Sequence, residues 1–238
     1  MKFILPVILL FILSITAYCG DYGVYSPSNY RLEEEPEEKI LFIVDFSNSM
    51  RENLNGVAKV DLMKNTMARI LSDLNPNVSA GLRIYGHRSG FSPSDACKAS
   101  MLAAPIRTNN GQTISNMLFQ TNPKGMTPIT YSLKQAVQKD FLGFRGKKHI
   151  ILLTDGGENC DESPCVYAME LIKMRKDIFI DVIAFNIDDE DALEQLQCAA
   201  LVTSGKFYTA NTAAELARSL HNSVNAKKQV EAKIMTNY

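Results

Sequence analysis

Apolar residues along the chain alternate between short continuous runs and longer stretches with helical spacing. Ile40 to Val44 is an unbroken apolar run ending at Asp45, which is typical of a parallel strand buried on both faces. Val57 to Leu74 has apolar residues at helical spacing and stops before Asn75-Pro76, a pair that ends helices. The chain therefore begins its predicted fold with a strand followed by a helix.

The same alternation continues to residue 224. Further strands are predicted at Ala80–Tyr85, Met101–Ile106, His149–Thr154, Ile178–Phe185 and Lys206–Thr209, and further helices at Pro128–Phe141, Pro164–Lys176, Glu190–Thr203 and Ala213–Val224. The second of these strands is the weakest and suits a sheet edge. Strands separated by helices predict a doubly wound α/β fold. We expect a mostly parallel six-stranded sheet with one antiparallel edge strand and helices on both faces.

Residues 1–19 have the pattern of a signal peptide, with Lys2 ahead of an apolar run from Phe3 to Leu13. An uncleaved membrane anchor is the alternative, because Phe3 to Cys19 is near the lower limit for crossing a bilayer. Cys19 is also a candidate lipid-modified residue of a bacterial lipoprotein, which would tether the protein to a membrane surface. Either way the sequence predicts export, to the periplasm or the cell surface.

Two polar segments flank the predicted domain, which we place at residues 40–225. Residues 20–39 become strongly acidic from Glu33 to Glu38 and have no apolar period, so they predict a solvated linker. Residues 226–238 predict a polar tail. The net charge of the chain is −1, and no Lys/Arg cluster is interleaved with aromatic residues. Nucleic acid is therefore not an expected partner.

Four cysteines lie within the predicted domain. In an exported chain this even number predicts two disulfides, with three connectivities open. The short spacing between Cys160 and Cys165 favours that pair, which would leave Cys97 with Cys198. A zinc site built from the four cysteines is the alternative, but no CxxC pair supports it.

Side chains that offer only oxygen cluster where the first strand ends. Asp45, Ser47 and Ser49 are spaced by two residues, so in an extended loop their side chains fall on one side. Hard divalent cations prefer such ligands. A helix cap and turn cluster is the simpler alternative for these three residues alone.

Two further segments offer matching groups. Thr127 lies just ahead of a predicted helix, and Asp155 ends the predicted strand at His149–Thr154. Gly156 and Gly157 follow Asp155 and would allow a close backbone turn. Ligands of doubly wound sheets bind beyond the carboxyl ends of the strands, at the point where strand order reverses. We therefore expect the five residues to form one site.

The charges of this site predict its use. Asp45 and Asp155 supply two negative charges, which neutralise a divalent ion, while the hydroxyl ligands are neutral. With water completing its shell, such an ion stays electrophilic enough to accept a carboxylate from another molecule. Mg²⁺ is the expected cofactor, with Mn²⁺ and Ca²⁺ as alternatives. The expected partner is a protein that offers an Asp or Glu side chain.

The pattern Asp45-x-Ser47-x-Ser49, with Thr127 and Asp155 downstream, resembles the metal-ion-dependent adhesion site of von Willebrand factor type A domains. The resemblance extends from about Ile40 to Val224. It implies that the three hydroxyl residues bind the metal directly, and that the two aspartates bind it directly or through water. One departure is Asn48, where the family often has glycine, and we expect it to change the loop more than the ligands.

Several longer stretches are similar to a bacterial exported subgroup labelled calcium-activated chloride channel homologues. They are Gly81–His87, Ala96–Lys98, Thr127–Ile129, Thr154–Cys160 and Leu196–Cys198. The channel label does not follow, because no apolar segment after residue 20 is long enough to cross a bilayer.

The sequence thus predicts a metal-dependent protein-binding module and not an enzyme. A scaffold with a purely structural metal is the alternative. A metal-dependent hydrolase is less favoured, because no motif supplies a general base beside the ion. In a phosphatase of the aspartyl type, a second Asp would stand where this chain has Ser47.

Overall fold

The computed structural model describes residues 38–225 of the chain. The predicted signal segment, Cys19, the linker up to residue 37 and the polar tail lie outside the described residues. The strands are β1 (Glu38–Asp45), β2 (Asn53–Leu54), β3 (Val57–Ala58), β4 (Ser79–Tyr85), β5 (Ser100–Arg107), β6 (Lys147–Thr154), β7 (Ile178–Phe185) and β8 (Phe207–Ala210). The helices are α1 (Lys59–Ser72), α2 (Pro93–Ala96), α3 (Gly111–Gln120), α4 (Ile129–Gln135), α5 (Pro164–Met174), α6 (Glu190–Val202) and α7 (Ala213–Val224).

Six of these strands form one sheet in the order β5-β4-β1-β6-β7-β8. All neighbours pair in parallel except β5, which runs antiparallel to β4 at the edge. The predicted fold class is therefore confirmed, including the single antiparallel edge strand. The two short strands β2 and β3 form a separate hairpin.

Each face of the sheet carries its own hydrophobic core, because successive side chains of a strand point to opposite faces. In β1, Phe42 and Val44 pack with α1, α3 and α7. Leu41 and Ile43 pack on the other face with α4, α5 and α6. This two-sided burial explains why the central strands are continuous apolar runs.

The order of the strands reverses beside β1. After β1 the chain continues into α1 on one face, and after the neighbouring β6 it continues into α5 on the other. Val44 of β1 pairs with Leu153 of β6. The carboxyl ends of these two strands consequently lie side by side where their connections diverge, which is where such sheets bind ligands.

Several local features differ from the predicted elements. The hairpin turns at Asn55 and Gly56, whose φ angles are 53° and 86°, so the helix predicted from Val57 begins at Lys59 instead. Helix α3 was not predicted, since only Ile114 and Leu118 among its residues are buried. The helix predicted to run to Phe141 ends in a π turn at Ala136–Asp140.

A buried ion pair fixes that π turn to the sheet. The guanidinium of Arg83, in β4, donates to both carboxylate oxygens of Asp140 at 2.6 and 2.8 Å. It also donates to the hydroxyl of Ser100 at 2.9 Å. Both charged side chains are almost completely removed from solvent, so their pairing is required for either to be buried.

The cysteines form two disulfides, Cys97–Cys160 and Cys165–Cys198. The number is as predicted, but the predicted pairing of Cys160 with Cys165 is wrong. Cys165 lies in the first turn of α5, which packs against the helix that contains Cys198. Cys160 lies in the preceding loop, where its Cα is 5.5 Å from that of Cys97 at the end of α2. A zinc site of these four cysteines is thereby excluded.

Between residues 38 and 225, the helices are too short or too polar to cross a membrane.

Candidate metal centre

Asp45 is the last residue of β1 and its side chain is completely buried. One carboxylate oxygen, Oδ1, accepts the backbone N–H of Ser47 at 2.6 Å. The other, Oδ2, accepts the hydroxyls of Tyr85 at 3.0 Å and Thr154 at 2.8 Å. These two residues end the strands on either side of β1, so Asp45 is oriented from both neighbours.

Ser47, Ser49 and Asp155 form a continuous hydrogen-bonded chain. The hydroxyls of Ser47 and Ser49 are 2.9 Å apart, and the hydroxyl of Ser49 donates to Asp155 Oδ1 at 2.7 Å. The two serines follow β1 and Asp155 follows β6. The structure thus brings together groups that lie 106 positions apart in the chain.

Thr127 reaches the same place through its backbone. Gly125 forms a parallel bridge with Ser47, and its carbonyl accepts the N–H of Asn48 at 3.0 Å. The N–H of Thr127 donates to Asn159 Oδ1 at 2.7 Å. Thr127 is therefore bonded directly to the loop after β6, and the nearby Gly125 holds the same segment to the loop after β1. Asn48 itself is exposed and opens a short 3₁₀ turn, which explains why a side chain is tolerated at this position.

Gly86 supports this arrangement at the end of β4. Its φ of +69° favours glycine, and a Cβ atom there would lie 2.6 Å from the backbone nitrogen of Ser47. Its carbonyl accepts the N–H of Gly125 at 2.8 Å.

The two glycines after Asp155 are less alike than we expected. A Cβ on Gly157 would lie 2.7 Å from the side chain of Ala192, whereas one on Gly156 would meet nothing within 4 Å.

Burial raises the pKa of both aspartates. Burial, and then the negative charge of Asp155, raise the pKa of Asp45 to about 6. Burial also raises the pKa of Asp155, although hydrogen bonds from Ser49 and the charge of Lys59 oppose it. A bound cation would relieve the repulsion between these two buried carboxylates.

Lys59, which the sequence reasoning missed, forms an ion pair with Asp155. It is the first residue of α1, and its Nζ lies 3.2 Å from Asp155 Oδ2 and 2.9 Å from Glu52 Oε2. Burial lowers the pKa of Lys59, but its hydrogen bonds and charge interactions with these carboxylates outweigh burial and raise it overall. Lys59 is therefore charged. No motif marks it, because it lies 96 positions from Asp155.

Glu158 and Asn159 are a second set of supporting residues that were not singled out. The carboxylate of Glu158 accepts the N–H of Thr130 at 2.7 Å and that of Cys160 at 3.0 Å. Burial raises the pKa of this carboxyl despite the hydrogen bond from Thr130. Together with the hydrogen bond that the N–H of Thr127 donates to Asn159, these contacts join the loop after β6 to the start of α4.

The donors at this edge suit a hard divalent cation. Two carboxylates and the hydroxyls of two serines converge, and Thr127 is held beside them. Across residues 38–225, no group of three or more His, Cys, Asp or Glu side chains is placed to hold a metal ion. A cation here would consequently depend on hydroxyl ligands as much as on carboxylates, and it would keep room for a further ligand.

This chain is similar in sequence to other proteins over most of its length. The family model of the von Willebrand factor type A domain matches residues 39–222. The uncharacterized protein YwmC of Bacillus subtilis (strain 168) is 30% identical over 199 residues, covering 80% of this chain and 86% of that protein.

Two solved structures share the fold. Proximal thread matrix protein 1 from the mussel byssus, with a zinc-occupied MIDAS motif, has a TM-score of 0.61 at 22% identity over 81% of this chain and 46% of that one. The pilus adhesin SpaC from Lactobacillus rhamnosus GG has a TM-score of 0.63 at 16% identity over 82% of this chain and 31% of that one. This chain thus spans less than half the length of either.

Proposed function

Because this chain belongs to the von Willebrand factor type A domain family, we propose that it binds a partner protein through a divalent cation. Asp45, Ser47, Ser49, Thr127 and Asp155 would hold the cation, and a partner Asp or Glu would complete its shell. The observation that carries the proposal is the hydrogen-bonded chain from Ser47 through Ser49 to Asp155. It gathers oxygen ligands from the two central strands at the switch point of the sheet.

The chemistry of the ligands supports this use. An ion held by two carboxylates and neutral hydroxyls has no excess negative charge around it, so a third carboxylate is still attracted. Mg²⁺ fits this oxygen-only set and is our proposed ion. The zinc-occupied MIDAS of the mussel protein supports a divalent cation at this edge of the fold. The pilus adhesin supports a role in binding.

Catalysis is not part of the proposal. The buried carboxylates are engaged by hydroxyls, backbone N–H groups and Lys59. These contacts use both carboxylate oxygens of Asp45 and both of Asp155, so neither aspartate is free to act as the general base that a hydrolase would need.

We also propose an exported location. Two disulfides within the domain are typical of proteins that mature in an oxidising compartment. The signal-like N-terminus gives the route, to the periplasm or the cell surface, with Cys19 as a site of lipid attachment. The partner would then be another protein of the cell envelope or its surroundings.

Calorimetric titration of Mg²⁺, Mn²⁺ and Ca²⁺ into the purified protein tests the metal site. We expect binding by the wild type and by Asp188→Ala, and none by Asp45→Ala. Asp188 is a matched control because it is exposed in the loop after β7, at the same edge of the sheet. Equal binding by Asp45→Ala would contradict the proposed site.

Capture from envelope extracts, with Mg²⁺ or with EDTA, tests the binding function. The proposal expects Mg²⁺-dependent capture by the wild type that Asp45→Ala abolishes without unfolding. Metal binding with no metal-dependent capture would favour a structural metal instead. Capture that persists in Asp45→Ala would show that partner binding does not depend on a cation held by Asp45.

A further inference from the structure

The two carboxylate oxygens of Asp155 make different contacts, one with the serines of the candidate metal site and one with Lys59. Oδ1 of Asp155 accepts the hydroxyl of Ser49 at 2.7 Å, on the side of the serine ligands. Oδ2 accepts the ammonium of Lys59 at 3.2 Å, on the side of α1. The side chains of Lys59 and Asp155 are 7% and 0% exposed. This ion pair is thus shielded from water, and shielding strengthens the attraction between the two charges.

We infer that Lys59 is a fixed positive charge that lowers the affinity of the site for the metal ion and raises the affinity of the metal-bound site for a carboxylate. This inference rests on the proposed function and names what regulates the same site. Lys59 acts through Asp155, so it is a positioning residue and not a ligand. By occupying Oδ2, it also presents Oδ1 toward the serines.

The balance of charge gives both signs of the effect. Asp45 and Asp155 carry two negative charges and Lys59 one positive charge, so the centre has a net charge of −1 before a metal binds. A divalent ion brings it to +1. A centre without Lys59 would start at −2 and end neutral. The lysine therefore repels the incoming ion and attracts the carboxylate that follows it.

Glu52 keeps Lys59 in place without cancelling this charge. Its carboxylate is 2.9 Å from Nζ, but its side chain is 66% exposed, so water and salt screen it. The backbone N–H of Lys59 also donates to the carbonyl of Glu52 at 2.9 Å. The lysine is thus fixed at both its backbone and its ammonium group, next to the site.

Lys64 offers a matched comparison on the same helix. It is as buried as Lys59, yet its Nζ lies over the ring of Phe46 at 5.7 Å and contacts neither aspartate of the site. A general effect of burying a lysine in α1 would be shared by both positions. An effect on the metal centre through Asp155 would be confined to Lys59.

The test titrates Mn²⁺ into the wild type and the Lys59→Met, Lys59→Arg and Lys64→Met variants, by calorimetry. Acetate is then added to each Mn²⁺-loaded protein, and water-proton relaxation reports the exchange of bound water for acetate. We expect Lys59→Met to bind Mn²⁺ about tenfold more tightly and acetate about tenfold more weakly. Lys59→Arg and Lys64→Met should stay close to the wild type.

Opposite changes in the two affinities are the diagnostic result, since a merely structural role would weaken both. Unchanged or weaker Mn²⁺ binding by a folded Lys59→Met would overturn the inference, and Lys59→Gln repeats the measurement if the first variant does not fold. Uptake of Mn²⁺ by Lys59→Met but not by the wild type would support the inference and contradict the proposed function. Uptake by neither would contradict both.

Discussion

The hydroxyl of Thr154 lies 2.8 Å from the carboxylate of Asp45 and so connects the last residues of the two central strands. Thr154→Val keeps the shape of this buried side chain but removes the bond. We expect the affinity for divalent ions to fall between about tenfold and a hundredfold, as is usual when a partner of a metal ligand is lost. Calorimetric titration measures it. Thr209→Val, at an exposed position of β8, is the control, and equal affinity in the two variants would contradict this role.

The buried state of Asp45 gives the metal-free protein a specific dependence on pH. Its pKa is raised from 3.8 to about 6, so the folded chain favours the protonated form. Its contribution to stability is complete below pH 3.8 and is lost as the pH rises through about 6. Urea unfolding in EDTA should show that the wild type loses stability relative to Asp45→Asn over this range. A constant difference between the two proteins would contradict the raised pKa.

The Cys97–Cys160 disulfide should affect metal binding as well as stability. Cys160 follows Asn159, whose side chain accepts the N–H of Thr127 at 2.7 Å. Removing the bond by Cys97→Ser with Cys160→Ser should loosen this contact and weaken metal affinity about tenfold.

Removing the other disulfide, by Cys165→Ser with Cys198→Ser, is the control for that experiment. Each pair of substitutions should cost about 2–5 kcal/mol of unfolding free energy, but only the first should change calorimetric metal affinity. Equal metal affinities in the two double variants would show that the Cys97–Cys160 bond does not influence the metal site. Peptide mapping without reduction checks the pairing itself, and four free thiols in protein taken from its native compartment would contradict both bonds.

The buried pair of Arg83 and Asp140 should be worth far more than an exposed one. Asp140→Ala leaves the guanidinium without its buried counter-ion, which we expect to cost about 3–5 kcal/mol of unfolding free energy. Lys134 and Glu162 form an ion pair of similar length whose side chains are 36% and 37% exposed. Glu162→Ala should cost less than about 1 kcal/mol. Urea unfolding compares the two, and similar losses would contradict the difference in burial.

The fold could be predicted because its strands are buried on both faces and therefore read as uninterrupted apolar runs. β7 has the bounds that the pattern predicts, whereas β1 begins two residues earlier than predicted, at the polar residue Glu38. Helix α3 was missed because most of its surface is polar and only Ile114 and Leu118 are buried. The hairpin could have been found, since Asn55-Gly56 is a strong turn signal.

The candidate site was predictable where its residues lie at or just after the ends of strands, as Asp45 and Asp155 do. That they bind a metal stays a prediction. Lys59 could not be found in the same way, because its contact with Asp155 joins residues 96 positions apart and depends on where α1 begins. The disulfide pairing failed for a related reason. Cys160 and Cys165 are close in sequence, but α5 begins between them. Cys160 therefore lies in a loop beside Cys97, and Cys165 lies on the helix that packs beside Cys198.

Both disulfides join cysteines that are consecutive along the described chain, and the loops they close, 63 and 33 residues apart at their ends, do not overlap. A chain that is exported from its N-terminus delivers Cys97 and Cys160 to the oxidising side before Cys198 arrives. Among the four cysteines of the domain, pairing in the order of emergence then gives the native Cys97–Cys160 bond first and leaves the last two cysteines for each other. Oxidative maturation of this domain can thus proceed by simple oxidation, with little demand on an isomerase to exchange wrong bonds.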